Sequence, residues 1–216
     1  MFLISTVGPT RLVRQGLEEL GVASRRIDAL SRSLGQLAAL VTRWSARMNL
    51  TAHGDADAVV RRLILDALAL DRELPDVHAM VDLGSGAGFP GLPIALLHPE
   101  RLVTLVDSRE RRHHFQRAAA RELGISNVIL RLGRAEELPP EPHPLVMAQA
   151  MARPSQAVVW MLPWVEPGGL LAVPLSAAQS PPGRLEGVGE ASVSHYVVPL
   201  GGPRRKLWLA RKETRG

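Results

Sequence analysis

The run Val81-Asp82-Leu83-Gly84-Ser85-Gly86-Ala87-Gly88-Phe89-Pro90-Gly91 carries the sharpest chemical signal in the sequence. Glycines between a β-type run and a helical one let the backbone approach a ligand closely, with the amides of a helix start facing it. Twenty-three residues beyond Gly84, Asp107 closes the next β-type run, where a carboxylate can accept from both hydroxyls of a ribose. Two readings stand open. Residues 86–91 fit the G-x-G-x-x-G dinucleotide fingerprint, which would make the chain a nicotinamide-type (NAD) oxidoreductase on a Rossmann sheet. The other is an S-adenosylmethionine (SAM) loop, in which Asp82 faces the cofactor's cationic end. An acid at the strand end would repel a pyrophosphate, and the chain has no second domain to hold a dehydrogenase substrate. Both points favour SAM. A helical His113-His114 pair near Glu110 offers no metal site, because adjacent side chains leave a helix in different directions. The remaining histidines show no ligand spacing, so no metal is expected.

Elements of a recognisable order must hold these residues. Leu12, Leu17, Leu20 and then Ile27, Leu30, Leu34, Leu37, Leu40, Val41 and Trp44 recur at three- and four-residue steps, the mark of amphipathic helices. A turn at His53-Gly54-Asp55 leads into a further helix over about 58–70. Beyond residue 78, strands over 79–83, 102–107, 127–132, 145–150 and 169–173 alternate with helices over 92–97, 109–123 and 155–162. That rhythm predicts a parallel sheet covered on both faces. Runs at 192–198 and 207–211, joined only by Pro199-Leu200-Gly201-Gly202-Pro203, predict a closing hairpin. The expected fold is α/β: a seven-stranded Rossmann-like sheet of the SAM-dependent methyltransferase kind, its last strand antiparallel. Residues 1–75 would form a helical extension and 76–216 the methyltransferase domain. Trp44, Trp160, Trp164 and Trp208 read as core and interface anchors, which leaves Phe89 as the one aromatic placed for a base.

Composition bounds the rest. A chain of 216 residues with 46% apolar and 22% charged side chains is globular and needs no staple. Zero Cys excludes disulfides, thiolate metal sites and a Cys nucleophile. The pI of about 10.8 overstates a net charge of +5, because only Lys206 and Lys212 are lysines among 26 cationic side chains. The charge permits a nucleic-acid partner without demanding one. Residues 1–9 lack the basic start of a signal peptide, and the apolar run 157–174 is broken by prolines, a glutamate and a glycine pair. A cytoplasmic monomer with no membrane contact is the expectation.

Several strings together resemble the RsmG/GidB family: DLGSGAGFPGLPIA over 82–95, Trp44 with Asn49-Leu50-Thr51, Ile64-Leu65-Asp66, Asp107-Ser108 with Arg111-Arg112, and Arg134-Ala135-Glu136-Glu137. The likeness runs from about residue 44 to 212. It implies a SAM-dependent methyltransferase acting on N7 of a guanine in bacterial small-subunit (16S) ribosomal RNA, during ribosomal RNA processing or within an assembling particle. It also implies that Gly84, Gly86, Gly88 and Phe89 line the methionine end of SAM, that Asp107 holds the ribose, and that Ala135 and Glu136 sit against the adenine. Gln149 would border the same pocket. Asn49, Arg111, Arg112, Arg153 and Arg205 are the RNA-contact candidates.

Three positions depart from the family. Leu63 stands where it carries His, Gln149 where it carries Arg, and Pro174 where it carries Lys. Each change removes a polar or cationic group, and Gln149 cannot hold a phosphate in the bidentate fashion of Arg. A divergent SAM-binding relative with another substrate, or without catalysis, is therefore the alternative within this class. Arg153, four residues past Gln149, is the candidate to restore the lost charge.

Overall fold

The computed structural model describes residues 8–214. The reading of the extreme N-terminus as lacking a signal segment falls mostly on residues 1–7, outside the described residues.

Helix α1 (Pro9–Glu19) starts with proline in its first turn, where a missing amide costs nothing, and buries Leu12, Val13 and Leu17. The long α2 (Ser24–Met48) runs antiparallel to it and ends at Asn49, whose left-handed φ of 48° stops the helix. Asp55 caps the next helical run, its side chain accepting from the Ala58 amide at 2.7 Å. That run is not the single helix expected from its periodicity. It comprises α3 (Ala56–Val59), a π turn over Val60–Ile64 and α4 (Leu65–Asp71). Hydrophobic spacing does not distinguish a widened turn from an ordinary one.

Seven strands follow: β1 (Ala79–Leu83), β2 (Leu102–Asp107), β3 (Val128–Leu132), β4 (His143–Ala148), β5 (Val165–Ser176), β6 (Val188–Val197) and β7 (Arg204–Lys212). They form one sheet in the order β3-β2-β1-β4-β5-β7-β6. Strands β1 to β5 are mutually parallel, and β7 enters antiparallel between β5 and β6. The order reverses between β1 and β4, which opens a crevice at their carboxyl ends. Helices α5 (Gly91–Leu97), α6 (Glu110–Leu123) and α7 (Pro154–Met161) are the crossovers.

Strand β5 reaches past the expected end at residue 173 and includes Pro174. Its pairing with β4 stops at Ala172, so Pro174 has a neighbour only in β7 and its missing amide is tolerated as at an edge.

Alternation along the strands divides the core in two. Met80, Leu145 and Met147 point to a layer shared with α1, α2, α4, α5 and α6, whereas Val81, Leu83, Val146 and Ala148 point to one shared with α7 and Trp164. The first cluster runs unbroken from Leu12 to Leu207, so the N-terminal helices and the sheet share one core.

Candidate active site

The crevice beside the β1 and β2 ends is a cavity of about 320 Å³, walled by Gly84, Asp107, Arg112, Ala135, Glu136 and Trp160 among others. Its floor is the glycine turn. Gly84 holds φ at 71°, and a Cβ there would lie 2.8–2.9 Å from three Met151 atoms. Only glycine lets the turn pass this close to Met151 without pushing that side chain toward the cavity.

Asp107 is the most connected group in the wall. Its Oδ2 accepts from the Gly86 amide at 2.9 Å and from Arg112 Nη1 at 3.2 Å, while Oδ1 accepts from the Arg109 amide at 2.9 Å. The carboxylate therefore ties the glycine turn to the start of α6 and keeps one acceptor site, on Oδ1, for a ligand. Gln116 braces the turn from behind, its Nε2 donating to Ser85 Oγ and to the Gly86 carbonyl, both at 2.9 Å. Sequence reading missed Gln116. Its signal is a position one turn beyond Arg112 on the same face of α6.

Asp82 lies elsewhere than expected. It shares strand parity with Met80, so its carboxyl points under α5, and Oδ2 accepts from the Gly91 amide at 3.1 Å. Only 1% exposed, it forms no part of the cavity wall. A Cβ on Gly91 would approach Leu105 to 2.2 Å, which shows how tightly α5 sits on this strand. Burial pushes the Asp82 carboxyl well above the usual carboxylate range; the Gly91 amide opposes this and the Asp107 charge adds to it.

A raised folded-state pKa means that the folded chain binds the extra proton. Stability from this group is thus fully present below about pH 4 and falls as pH rises toward the folded value. Asp82→Asn is expected to flatten part of that fall, read as melting temperature from pH 4 to 8. An unchanged slope would count against the assignment.

The other candidates divide plainly. Gly84, Asp107, Ala135 and Glu136 share the cavity wall. Gly86 belongs to the site through its bond to Asp107. Gly88 is buried in the turn and Phe89 packs on the main core; neither is in the wall. Gln149 is half-buried just past β4, also outside the wall, where Ala150 and Met151 take its place. The Ala135 carbonyl already accepts from the Trp164 indole at 3.0 Å, and Glu136 lies 3.7 Å from Arg134.

Trp160, read as a core residue, instead walls the cavity. Arg112 faces inward on Asp107 rather than outward as an RNA contact. Arg205 is likewise engaged, its Nη2 donating to Asp66 Oδ2 at 2.8 Å. Asn49, Arg111 and Arg153 are exposed. Leu63 is half-buried against the main core and Pro174 buried in β5, so neither reaches the cavity. Among the described residues no cluster of His, Cys, Asp or Glu could hold a metal ion, and no helix is long and apolar enough to cross a membrane.

The sheet order, the glycine turn and the acid ending β2 define a Rossmann-like methyltransferase fold with its cofactor crevice at the β1/β4 switch. Two solved structures have a similar fold. A tRNA methyltransferase, TrmI, from Aquifex aeolicus aligns with a TM-score of 0.52 at 14% identity, over 70% of this chain and 69% of its own. A SAM-dependent methyltransferase from the same organism aligns with a TM-score of 0.51 at 16% identity, over 72% and 93%. The family model for rRNA small subunit methyltransferase G (GidB) matches residues 30–178, and the chain belongs to that family. A ribosomal RNA small subunit methyltransferase G from Halorhodospira halophila is 36% identical over 94% of this chain and 96% of its own length. One from Deinococcus deserti is 34% identical over 94% and 88%.

The donor set suits SAM. A strand-end carboxylate with an open acceptor site suits a ribose hydroxyl, and the half-buried Trp160 beside Ala135 offers an apolar wall for a purine.

Proposed function

We propose that this protein transfers a methyl group from SAM to N7 of a guanine in small-subunit (16S) ribosomal RNA. When bound, SAM supplies an electrophilic methyl group. Asp107 orients the ribose through its one open acceptor site, Trp160 and the Ala135-Glu136 segment hold the adenine, and the Gly84 turn admits the methionine end. The observation that carries this reading is the Asp107 carboxylate on the cavity wall, tied to both the glycine turn and α6. Family membership supplies the RNA substrate.

Guanine N7 has an available lone pair, so no residue need remove a proton first. The chain's task is alignment, which can supply about 7–11 kcal/mol of the barrier. Loss of the family's His, Arg and Lys at Leu63, Gln149 and Pro174 is compatible with that task. None of the three reaches the cavity wall, so the change leaves the cofactor's contacts in place. The protein acts as a cytoplasmic monomer on the RNA, alone or within an assembling particle.

Two measurements separate the parts of this proposal. Calorimetry should show SAM binding at tens of micromolar or tighter, and an absence of binding there would sink the cofactor assignment. Small-subunit RNA from cells carrying the gene should undergo strand scission at an N7-methylguanine that is absent from cells without it. Identical cleavage of the two RNAs would remove the guanine-N7 assignment.

A further inference from the structure

We propose that the π turn at Val60–Ile64 and the β6–β7 hairpin together form a docking surface for the phosphate backbone of RNA, beside the cofactor cavity. The inference rests on the reading above that RNA is the substrate, and adds where the RNA lies.

Arg61 and Arg62, both exposed, line a groove of about 360 Å³ whose opposite side is the turn 199–203. Arg204, next in the chain, is exposed as well. Among the described residues none of the three forms an ion pair, whereas Arg14, Arg43, Arg101, Arg112 and Arg205 are each paired with a carboxylate. Of the nearby acids, Asp66 is taken up by Arg205, and Glu19 accepts from the Leu200 amide at 3.0 Å. The groove thus presents cations whose charge is not already balanced by a partner.

Sheet register places that charge at the reacting edge. Ser176 at the end of β5 lies opposite Arg205, and Val197 at the end of β6 lies opposite Arg204. The hairpin therefore projects from the edge where β1, β2 and β4 also end, the edge that carries the cavity. From β1 to the hairpin is three to four strand steps, about 15–19 Å at roughly 4.8 Å each. About five stacked nucleotides at roughly 3.4 Å cover the distance. A guanine at the mouth of the cavity and its neighbouring phosphates on the arginines fit one RNA segment.

The groove is held in shape by its own staple. Asp66, two residues past the π segment, binds Arg205 of β7 at 2.8 Å and Tyr196 of β6 at 3.3 Å. Asp66 is thus a positioning residue that keeps Arg61 and Arg62 against the hairpin. The floor is largely backbone and proline, so the surface suits a sequence-blind polyanion more than an apolar protein partner.

The test uses the full chain, SAM and a small-subunit ribosomal RNA transcript. R61A/R62A should bind SAM within about twofold of the parent while RNA affinity at about 0.1 M salt falls roughly tenfold. The slope of log affinity against log salt should shrink by about 0.7–0.9 for each lost phosphate contact. R61K/R62K should restore most of the slope. R25A/R121A, which removes two exposed arginines from the first turn of α2 and the last turn of α6, should leave it unchanged.

Equal losses in R61A/R62A and R25A/R121A would overturn the proposal in favour of bulk charge. An unaltered slope in R61A/R62A would overturn it in favour of another partner, such as an acidic protein. If the parent protein binds SAM but neither binds nor methylates the RNA, the functional reading fails and this surface with it. Normal methylation with an unaffected R61A/R62A removes the surface alone.

Discussion

Asp107→Ala is expected to lower SAM affinity at least about a hundredfold, in calorimetry that the parent chain reads easily. The carboxylate has one acceptor site left for a ribose hydroxyl, a charged hydrogen bond worth about 1.5–3 kcal/mol, or roughly one to two decades. A second loss adds to the first. Without Asp107, the Gly86 amide and the Arg109 amide lose their acceptor and Arg112 loses its ion-pair partner, so the turn and the start of α6 part. Asp107→Asn should fall between, near tenfold, because the amide keeps one acceptor but places a donor against Arg112 or Gly86. Melting temperature should fall as well, since the three bonds that Asp107 accepts are lost with or without SAM, so affinity is read well below the variant's melting point. SAM affinity within threefold of the parent for Asp107→Ala would remove this residue from the cofactor site.

Arg205→Ala should cost about 3 kcal/mol of folding stability, and Asp66→Asn less than about 1 kcal/mol, although both break one ion pair. The asymmetry follows from burial. The Asp66 side chain is only 7% exposed, and burial raises its carboxyl above the usual range despite the opposing Arg205 charge. Without Arg205 a buried carboxylate stands uncompensated. An asparagine at 66 is neutral and still offers an acceptor to Arg205 and a donor to Tyr196. For a chain of this size, the Arg205 change corresponds to a drop of about 6–12 °C in melting temperature.

The sign of the pH effect follows from the same group. Its folded pKa is raised, so its contribution is present below about pH 4 and lost as pH rises. The loss from Arg205→Ala should therefore be larger at pH 8 than at pH 5. Equal destabilisation by the two substitutions, at both pH values, would contradict this account.

Most of the scaffold was legible in the chain because its signals are short-range. Alternating β and helical runs, the hairpin linker and the glycine turn are each encoded within a dozen residues, and they follow one another along the chain as expected. Boundaries shifted where tertiary pairing extended a run, as for β5 beyond Pro174. The direction of Asp82 was readable in principle from its parity with Met80, yet the cofactor reading of the motif pointed it at the ligand instead. Trp160 could not be assigned, since a tryptophan on a short covering helix can face the sheet or the crevice with equal local pattern.

The sequence by itself determined that this chain builds a methyltransferase sheet with a glycine turn and a strand-end acid, because the backbone conformations involved are dictated by residues a few positions apart. It could not determine which of its many arginines are available. Arg205 meets Asp66 across 139 positions, and Arg112 meets Asp107 only once α6 has packed beside the turn. Ion pairs of that kind are decided by where the sheet order brings two distant segments together. The tertiary structure thus withdrew Arg112 and Arg205 into the fold and, among the described residues, left Arg61, Arg62 and Arg204 without an ion-pair partner at the sheet edge that carries the cavity.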